Sequence, residues 1–412
     1  MILTILATTY AVNPYKGSED GMGWNFVLQI ARFNKVIAIT RENNQPHIEK
    51  YMQEHPNPLY GNITFKYYDL PKWAYFWKKG ERGAMLYYNL WQVGVAYFAK
   101  QFAKEVDIVH NINFHNDWTP TFLYKLKKPL VWGPVGHHPQ IPSQYLPKKN
   151  RAKNALRESS IWAIKKLYWL LNPWLKISKA KAKIIFAMNS EVQQVLKPKA
   201  SKVHILPSVG CEFPELNEFK KEHSTFEVLS VGRFVPLKGF GIAIDAFHAF
   251  LQLMPKEKRN FVRLTLVGKG PLKDDLMEQS YKLGIFTNVR FIDWIDRAEL
   301  ADIYRNADLF LFPSHEGAGM VVAEAFSYKV PVLCFNNAGP GEFLHPDSIL
   351  RVAYTNYKQS VLDFSLLMQL YYLSPLFREK EIKLAHNRFT TWLNWDVKGV
   401  ILNEAYNKIV KS

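Results

Sequence analysis

The sequence predicts an α/β protein of two Rossmann-like, doubly wound parallel-sheet domains. Three observations lead there. The chain has 412 residues, more than one hydrophobic core ordinarily serves. Its first half alternates short apolar runs with segments whose apolar residues recur at helical spacing, the pattern of βαβ units. Its second half repeats that alternation with an unrelated sequence, so the halves are two separate sheets and not turns of a solenoid.

Residues 2–7 (ILTILA) read as a first buried strand. They lack a basic leader and a cleavage-like site, so they do not read as a signal peptide. Residues 24–31 carry helical spacing, 36–40 and 63–67 are strand-like, and 86–104 form a long amphipathic helix. The runs 106–110 (VDIVH), 129–132 and 184–188 complete the first series. In the second half the strands are 226–231, 263–267, 289–292, 309–312 and 331–335. Helical patterns at 241–253, 272–283, 298–306 and 321–328 separate or follow them. Pro198, Pro207 and Pro214, with a charged cluster at 218–222, mark the crossing. The expected division is an acceptor-side domain 1–189, a donor-side domain 190–391, and a helical, aromatic-rich segment 392–412 that returns to the first domain.

Composition narrows the class. With 48% hydrophobic and 22% charged residues the chain is globular and not disordered. A formal net charge of +17 points to an anionic partner. Cys211 and Cys334 are isolated, which excludes a disulfide framework and a zinc knuckle and suits a reducing compartment. No apolar run reaches the roughly 18 residues that a membrane span needs.

Open α/β sheets bind ligands beyond the carboxyl ends of their strands. In the second half these loops are Gly232-Arg233, Gly268-Lys269-Gly270 and residues 314–328, SHEGAGMVVAEAFSY. The last follows the apolar run LFLF and Pro313, so it reads as strand, glycine loop and helix start. Such a turn offers backbone N–H groups and the positive end of a helix dipole to an anion. Glu316 and Glu324, bracketing it, are acceptors suited to sugar hydroxyls. A crevice that takes both phosphate and sugar suggests a sugar nucleotide. The stretch 232–239, GRFVPLKG, adds Arg233 as a fork for phosphate and Lys238 as a point charge, without the Walker pattern of an ATPase. By itself it is equally a turn with two solvated cations, and Glu324 by itself is more often a solvated helix residue or a cap partner.

GRFVPLKG ahead of E-x7-E, on a two-domain α/β chain, resembles the retaining glycosyltransferases of family 4, with the GT-B fold. The likeness is densest over 228–342 and extends to KGSEDGMGW at 16–24, WGPVG at 132–136 and GPGE at 339–342, as in a bacterial subgroup with a GSE-x-G-x-GW loop. The resemblance implies two domains facing a cleft. It implies that Glu316 bonds the donor sugar, that the backbone of Gly317, Ala318, Gly319, Met320 and Val321 with Gly232 holds sugar and phosphate, and that Glu324 takes the ribose hydroxyls. Arg233 and Lys238 would neutralise the departing diphosphate. The family works without a metal, so neither metal nor cofactor is expected; a UDP- or GDP-sugar is the co-substrate. In the first half Gly17 would approach the diphosphate, and Ser18 and Glu19 the acceptor, although the loop is also readable as a plain βα turn.

Family members often carry a sugar-contacting histidine in the first half. His110, ending the VDIVH strand, is the candidate for catalysis, and His115 and His137 for acceptor contact; a strand-end histidine is as often a packing residue. His137-His138 and Lys329 stand where glycines are usual. The loss of glycine at 329 should strain a helix C-cap.

Between Lys148 and Lys183 eleven Lys or Arg face a single acid, Glu158, with Trp162, Tyr168, Trp169, Trp174 and several Leu interleaved. That suits an anionic membrane surface, and a second aromatic-basic stretch runs from 73 to 82. The same stretch is compatible with an ordinary amphipathic helix. The combined reading is a cytoplasmic enzyme, peripheral on the inner face of the cell membrane, that moves a sugar to a lipid-linked or surface-glycan hydroxyl. An epimerase or glycogen-type synthase on the same fold, and a basic non-catalytic protein, are the rivals. No nucleic-acid-binding motif accompanies the charge, so nucleic acid is not an expected partner.

Overall fold

The computed structural model describes residues 2–80, 82–112, 116–147, 151–214 and 225–411. It divides into two compact units. One comprises 1–137, 163–210 and 395–412; the other comprises 138–162 and 211–394.

The first unit carries a parallel sheet of strands β1 (Thr4–Thr8), β2 (Lys35–Thr40), β3 (Ile63–Tyr67), β4 (Ile108–Asn111), β5 (Leu130–Val135), β6 (Ala182–Ala187) and β7 (Val203–Ile205), ordered β3-β2-β1-β4-β5-β6-β7. The second carries β8 (Phe226–Val231), β9 (Val262–Val267), β10 (Val289–Ile292), β11 (Leu309–Phe312), β12 (Val332–Phe335) and β13 (Arg351–Val352), ordered β10-β9-β8-β11-β12-β13. Each order reverses once, between β1 and β4 and between β8 and β11, and the crevice for a ligand opens at the carboxyl ends beside such a reversal.

Parallel strands are covered on both faces, so they read as continuous apolar runs. Leu309, Phe310, Leu311 and Phe312 are each at most 1% exposed. In the first unit Trp91, Trp132, Tyr87 and Val109 fill one side of the sheet. Phe26, Val27, Trp395, Leu402 and Tyr406 fill the other. The C-terminal helix Trp395–Lys411 is thus part of the first unit, with Trp395 edge-on to Phe26 at 5.5 Å. The first unit also runs past residue 189, because β7 adds to the β6 edge before the chain crosses.

Helix Met320–Ser327 ends at Lys329, which adopts a left-handed φ of 59°. Its N–H donates to Phe326 O at 3.0 Å and the Val330 N–H to Ala325 O at 2.9 Å, a Schellman closure. The strain expected at this cap is therefore present, and Lys329 bears it. A side chain in this region costs about 1 kcal/mol. Lys329→Gly is expected to raise the unfolding free energy by up to about 1 kcal/mol, read by chemical denaturation; a destabilised variant would refute the account.

Candidate functional site

The second unit's site is built where three carboxyl-end loops meet. After β8 the chain turns through Gly232 and Arg233 to a short 3-10 turn, Pro236–Lys238. After β11 it turns through Ser314 to Glu316. The two loops are zipped by backbone: His315 N–H donates to Leu237 O at 2.8 Å, and Ser314 Oγ–H to the same oxygen at 3.2 Å. Gly239 makes this approach feasible. It has φ 69°, and a Cβ there would lie 2.0 Å from Pro313 O. The third loop, after β12, packs equally closely. A Cβ on Gly339 would sit 2.2 Å from Glu316 O, and Asn337 Nδ2 donates to Ser314 O at 2.9 Å.

This packing brings Lys238 Nζ to 2.8 Å from both carboxylate oxygens of Glu316. The ammonium also lies 5.2 Å from the Phe312 ring centroid. Glu316 is 9% exposed. Burial pushes its carboxyl pKa up, and the Lys238 charge and hydrogen bond oppose that shift. Gly232 lies beside the Lys238 stem, and Arg233 is exposed.

Gly319 forms the N-cap of helix Met320–Ser327, with no side-chain cap on the first turn. Met320 and Val321 open this helix after the Gly317-Ala318 loop, the position from which backbone N–H groups serve an anion. Gly317 N–H faces His138 Nδ1 at 3.4 Å. Glu324, one turn into the helix, accepts from Tyr304 O–H at 3.1 Å. Burial raises its pKa, and the Tyr304 bond opposes this. Tyr304 is itself held by helix Arg297–Asn306, which Asp296 caps, and stacks on Tyr328 at 5.5 Å.

Sequence reasoning missed several of these residues. Tyr304 bonds Glu324, Ser314 Oγ accepts from the Glu316 N–H, Phe312 lies under the Lys238 ammonium and Asn337 ties the third loop to Ser314; nothing in the sequence marks these roles. His138 has a visible signal, the replacement of glycine. His315 is buried against Phe335 and Tyr354, with Nδ1 2.8 Å from the Tyr354 hydroxyl. Burial takes its pKa down to about 3, so it is neutral.

The first-unit candidates fare differently. Gly17, Ser18 and Glu19 are exposed at the start of helix Ser18–Ala31, with Ser18 at φ 55°. His115 lies outside the described residues. His110 corrects the catalytic assignment: it is fully buried, Nδ1 lies 2.6 Å from Tyr406 Oη and Nε2 2.8 Å from Gly133 O. Burial lowers its pKa to about 4, and with both nitrogens engaged it joins the C-terminal helix to β5. His137 is likewise no open acceptor contact. Nδ1 lies 2.7 Å from Asp117 Oδ2 and Nε2 3.1 Å from Glu191 Oε2. Burial would lower its pKa, but the bonds to these two carboxylates prevail and hold it at about 9. Among the described residues no group of three or more His, Cys, Asp or Glu side chains is arranged to hold a metal.

Residues 214–368 match the family described as Glycosyl transferases group 1. The chain is 31% identical over 206 residues to alpha-1,3/1,6-mannosyltransferase ALG2 of Debaryomyces hansenii, covering 43% of each protein. It is 25% identical over 232 residues to glycogen synthase of Mycobacterium tuberculosis, covering 53% of this chain and 52% of that one. The chain thus spans about half the length of the curated relatives it matches. The crystal structure of Anabaena HepE in complex with UDP and glucose superposes with a TM-score of 0.59 at 15% identity, over 98% of this chain and 100% of that one. The fold is that of the GT-B glycosyltransferases.

The His137 geometry gives a pH dependence. Its folded pKa is about 9 against about 6.5 unfolded, so the stabilisation is complete below pH 6.5 and is lost as pH rises through 9. The shift corresponds to about 3 kcal/mol. Unfolding free energy measured between those pH values should fall for the wild type and fall less for His137→Gln; parallel curves would reject the assignment.

Proposed function

We infer that the protein is a retaining, metal-independent hexosyltransferase that takes a UDP- or GDP-sugar and transfers the sugar to an acceptor hydroxyl. The observation that carries this reading is the Lys238–Glu316 pair held beside the Gly317–Val321 turn, within a stretch that matches the group 1 glycosyltransferases. Each charge satisfies the other. A bound donor gives both a better use. Its diphosphate takes the Lys238 ammonium, the exposed Arg233 and the turn's backbone N–H groups. Its sugar hydroxyls donate to Glu316. Glu324, steadied by Tyr304, accepts from the ribose hydroxyls.

The chemistry that follows is electrostatic. As the bond from the anomeric carbon to the diphosphate oxygen breaks, negative charge grows on that oxygen, where Lys238 and Arg233 are placed to stabilise it. The acceptor hydroxyl attacks from the same face and hands its proton to the departing oxygen, so configuration is retained. The acceptor is a lipid-linked or growing surface glycan, and the enzyme works from the cytoplasmic side of the membrane. Helix Arg151–Leu171 supports that location. It has no buried residue, and Leu156, Ile164, Leu167 and Leu171 are each more than half exposed among Lys153, Arg157 and Lys166. The likeness to glycogen synthase supports a second reading, extension of a soluble glucan. A soluble α-glucan acceptor outperforming lipid-linked acceptors would select it.

Transfer from a panel of nucleotide sugars tests the proposal. Glu316→Gln is expected to lower kcat on the order of a hundredfold with little change in donor KM. Glu324→Gln is expected to raise donor KM about tenfold. Wild-type kinetics in both variants, or isomerised donor without transfer, would defeat it.

A further inference from the structure

The first unit contains a cationic and aromatic cluster at the carboxyl ends of β1, β2 and β3 that the reading above leaves unused. Tyr10 follows β1, Arg41 follows β2 and Asp69 follows β3. Arg41 Nε–H donates to Asp69 Oδ1 at 3.1 Å, and the Tyr87 hydroxyl donates to the same oxygen at 2.5 Å. The guanidinium lies over two rings, 5.0 Å from the centroid of Tyr10 and 5.2 Å from that of Tyr87. Lys78 Nζ is 5.4 Å from the Tyr87 centroid as well. Two cations therefore share one ring, with Asp69 bonded to Arg41 and Asp20 the second carboxylate near it. Between Leu70 and Gly83 the sequence adds Lys72, Lys79 and Arg82 against Glu81 alone. Arg41 bonds Asp69 and Tyr10 within the cluster and Lys78 adds a point charge beside it, a pairing of fork and point charge suited to phosphate.

An apolar surface adjoins this cluster in the same segment. Tyr75 packs edge-on against Tyr87 at 5.2 Å, and Trp77 Nε1–H donates to Ala74 O at 3.1 Å, so the segment is docked by those residues. Trp73 and Phe76 are left 78% and 80% exposed. Leu86 and Leu90, one turn apart on helix Ala84–Phe98, are exposed too. A solvated loop gains nothing from presenting two aromatic rings to water; a phosphate with a hydrocarbon tail uses both halves of the surface.

We propose that Arg41, Lys78, Tyr10 and Tyr87 form a subsite for the phosphate of a lipid-linked acceptor, with Trp73, Phe76 and Leu86 receiving the first part of its hydrocarbon chain. The inference rests on the transferase reading for its meaning as an acceptor site, but its binding chemistry is tested separately. Calorimetric titration of the whole chain compares short-chain phosphatidic acid, the matching phosphatidylcholine and inorganic phosphate. Phosphatidic acid is expected to bind at least about tenfold more tightly than either of the others. Lys78→Gln, and separately Trp73→Ala with Phe76→Ala, should each weaken it about tenfold, with unchanged thermal unfolding. Lys153→Gln with Arg157→Gln, on the exposed basic helix, should leave it intact. Equal binding of the two lipids, phosphate binding as tightly as phosphatidic acid, or wild-type affinity in both cluster variants would overturn the subsite. UDP is titrated into the same samples. A chain that takes the lipid but not UDP retires the transferase reading and keeps the subsite, whereas one that takes UDP but not the lipid retires the subsite alone.

Discussion

A carboxylate and an ammonium removed from water must satisfy each other, and the second unit is arranged around that requirement. Breaking such a pair costs roughly 3–5 kcal/mol, because the remaining charge is left buried. Glu316 and Lys238 come from loops 78 residues apart in sequence, after different strands. They meet only because the backbones of those loops touch, and the backbones touch because Gly239 and Gly339 present no side chain where Pro313 O and Glu316 O lie. Glycines that read as room for a phosphate serve here to let three loops close on one another. The parallel sheet beneath supplies the rigid platform, since β11 is wholly buried and enters the loop at a fixed position.

The same physics explains what the sequence disclosed. A central parallel strand is apolar on both faces, so β8 and β11 were legible to the residue. An edge strand has no such pattern. In β7, His204 and Ile205 are exposed, and β13 has two residues, so neither stands out from its flanks. Helix Tyr357–Leu373 leaves Leu362, Leu366 and Leu370 partly in water, which blurs its apolar face. For the site, residue types were readable and partners were not. Glu316, Lys238 and Glu324 follow from loop chemistry, whereas the Lys238–Glu316 contact and the Tyr304 support of Glu324 are tertiary facts.

Histidines show that limit most sharply. His110 and His137 sit at strand ends near where ligands gather, and each has both ring nitrogens occupied, one by a hydroxyl and a carbonyl, the other by two carboxylates. Opposite surroundings set opposite charges: burial alone leaves His110 neutral at about 4, and Asp117 with Glu191 keeps His137 protonated to about 9. The neighbouring His138, marked in the sequence only by standing where glycine is usual, instead faces the Gly317 amide. Sequence position identifies the neighbourhood of a histidine; its partners decide whether it is a ligand, a pin or a charge.

The two units also differ in what recognises a ligand. The loops of the second unit present backbone N–H groups and glycines, which suit a diphosphate. The first unit presents side chains on a long loop between β3 and helix Ala84–Phe98, with Arg41 and Lys78 sharing the Tyr87 ring. The loops of the second unit tolerate little change, because a Cβ on Gly239 or Gly339 would fall 2.0 or 2.2 Å from a backbone oxygen. A side-chain cluster on a loop can be altered one residue at a time without disturbing the sheet. A change in the loops of the second unit therefore disturbs its fold, whereas the side-chain cluster of the first unit is free to vary on its surface.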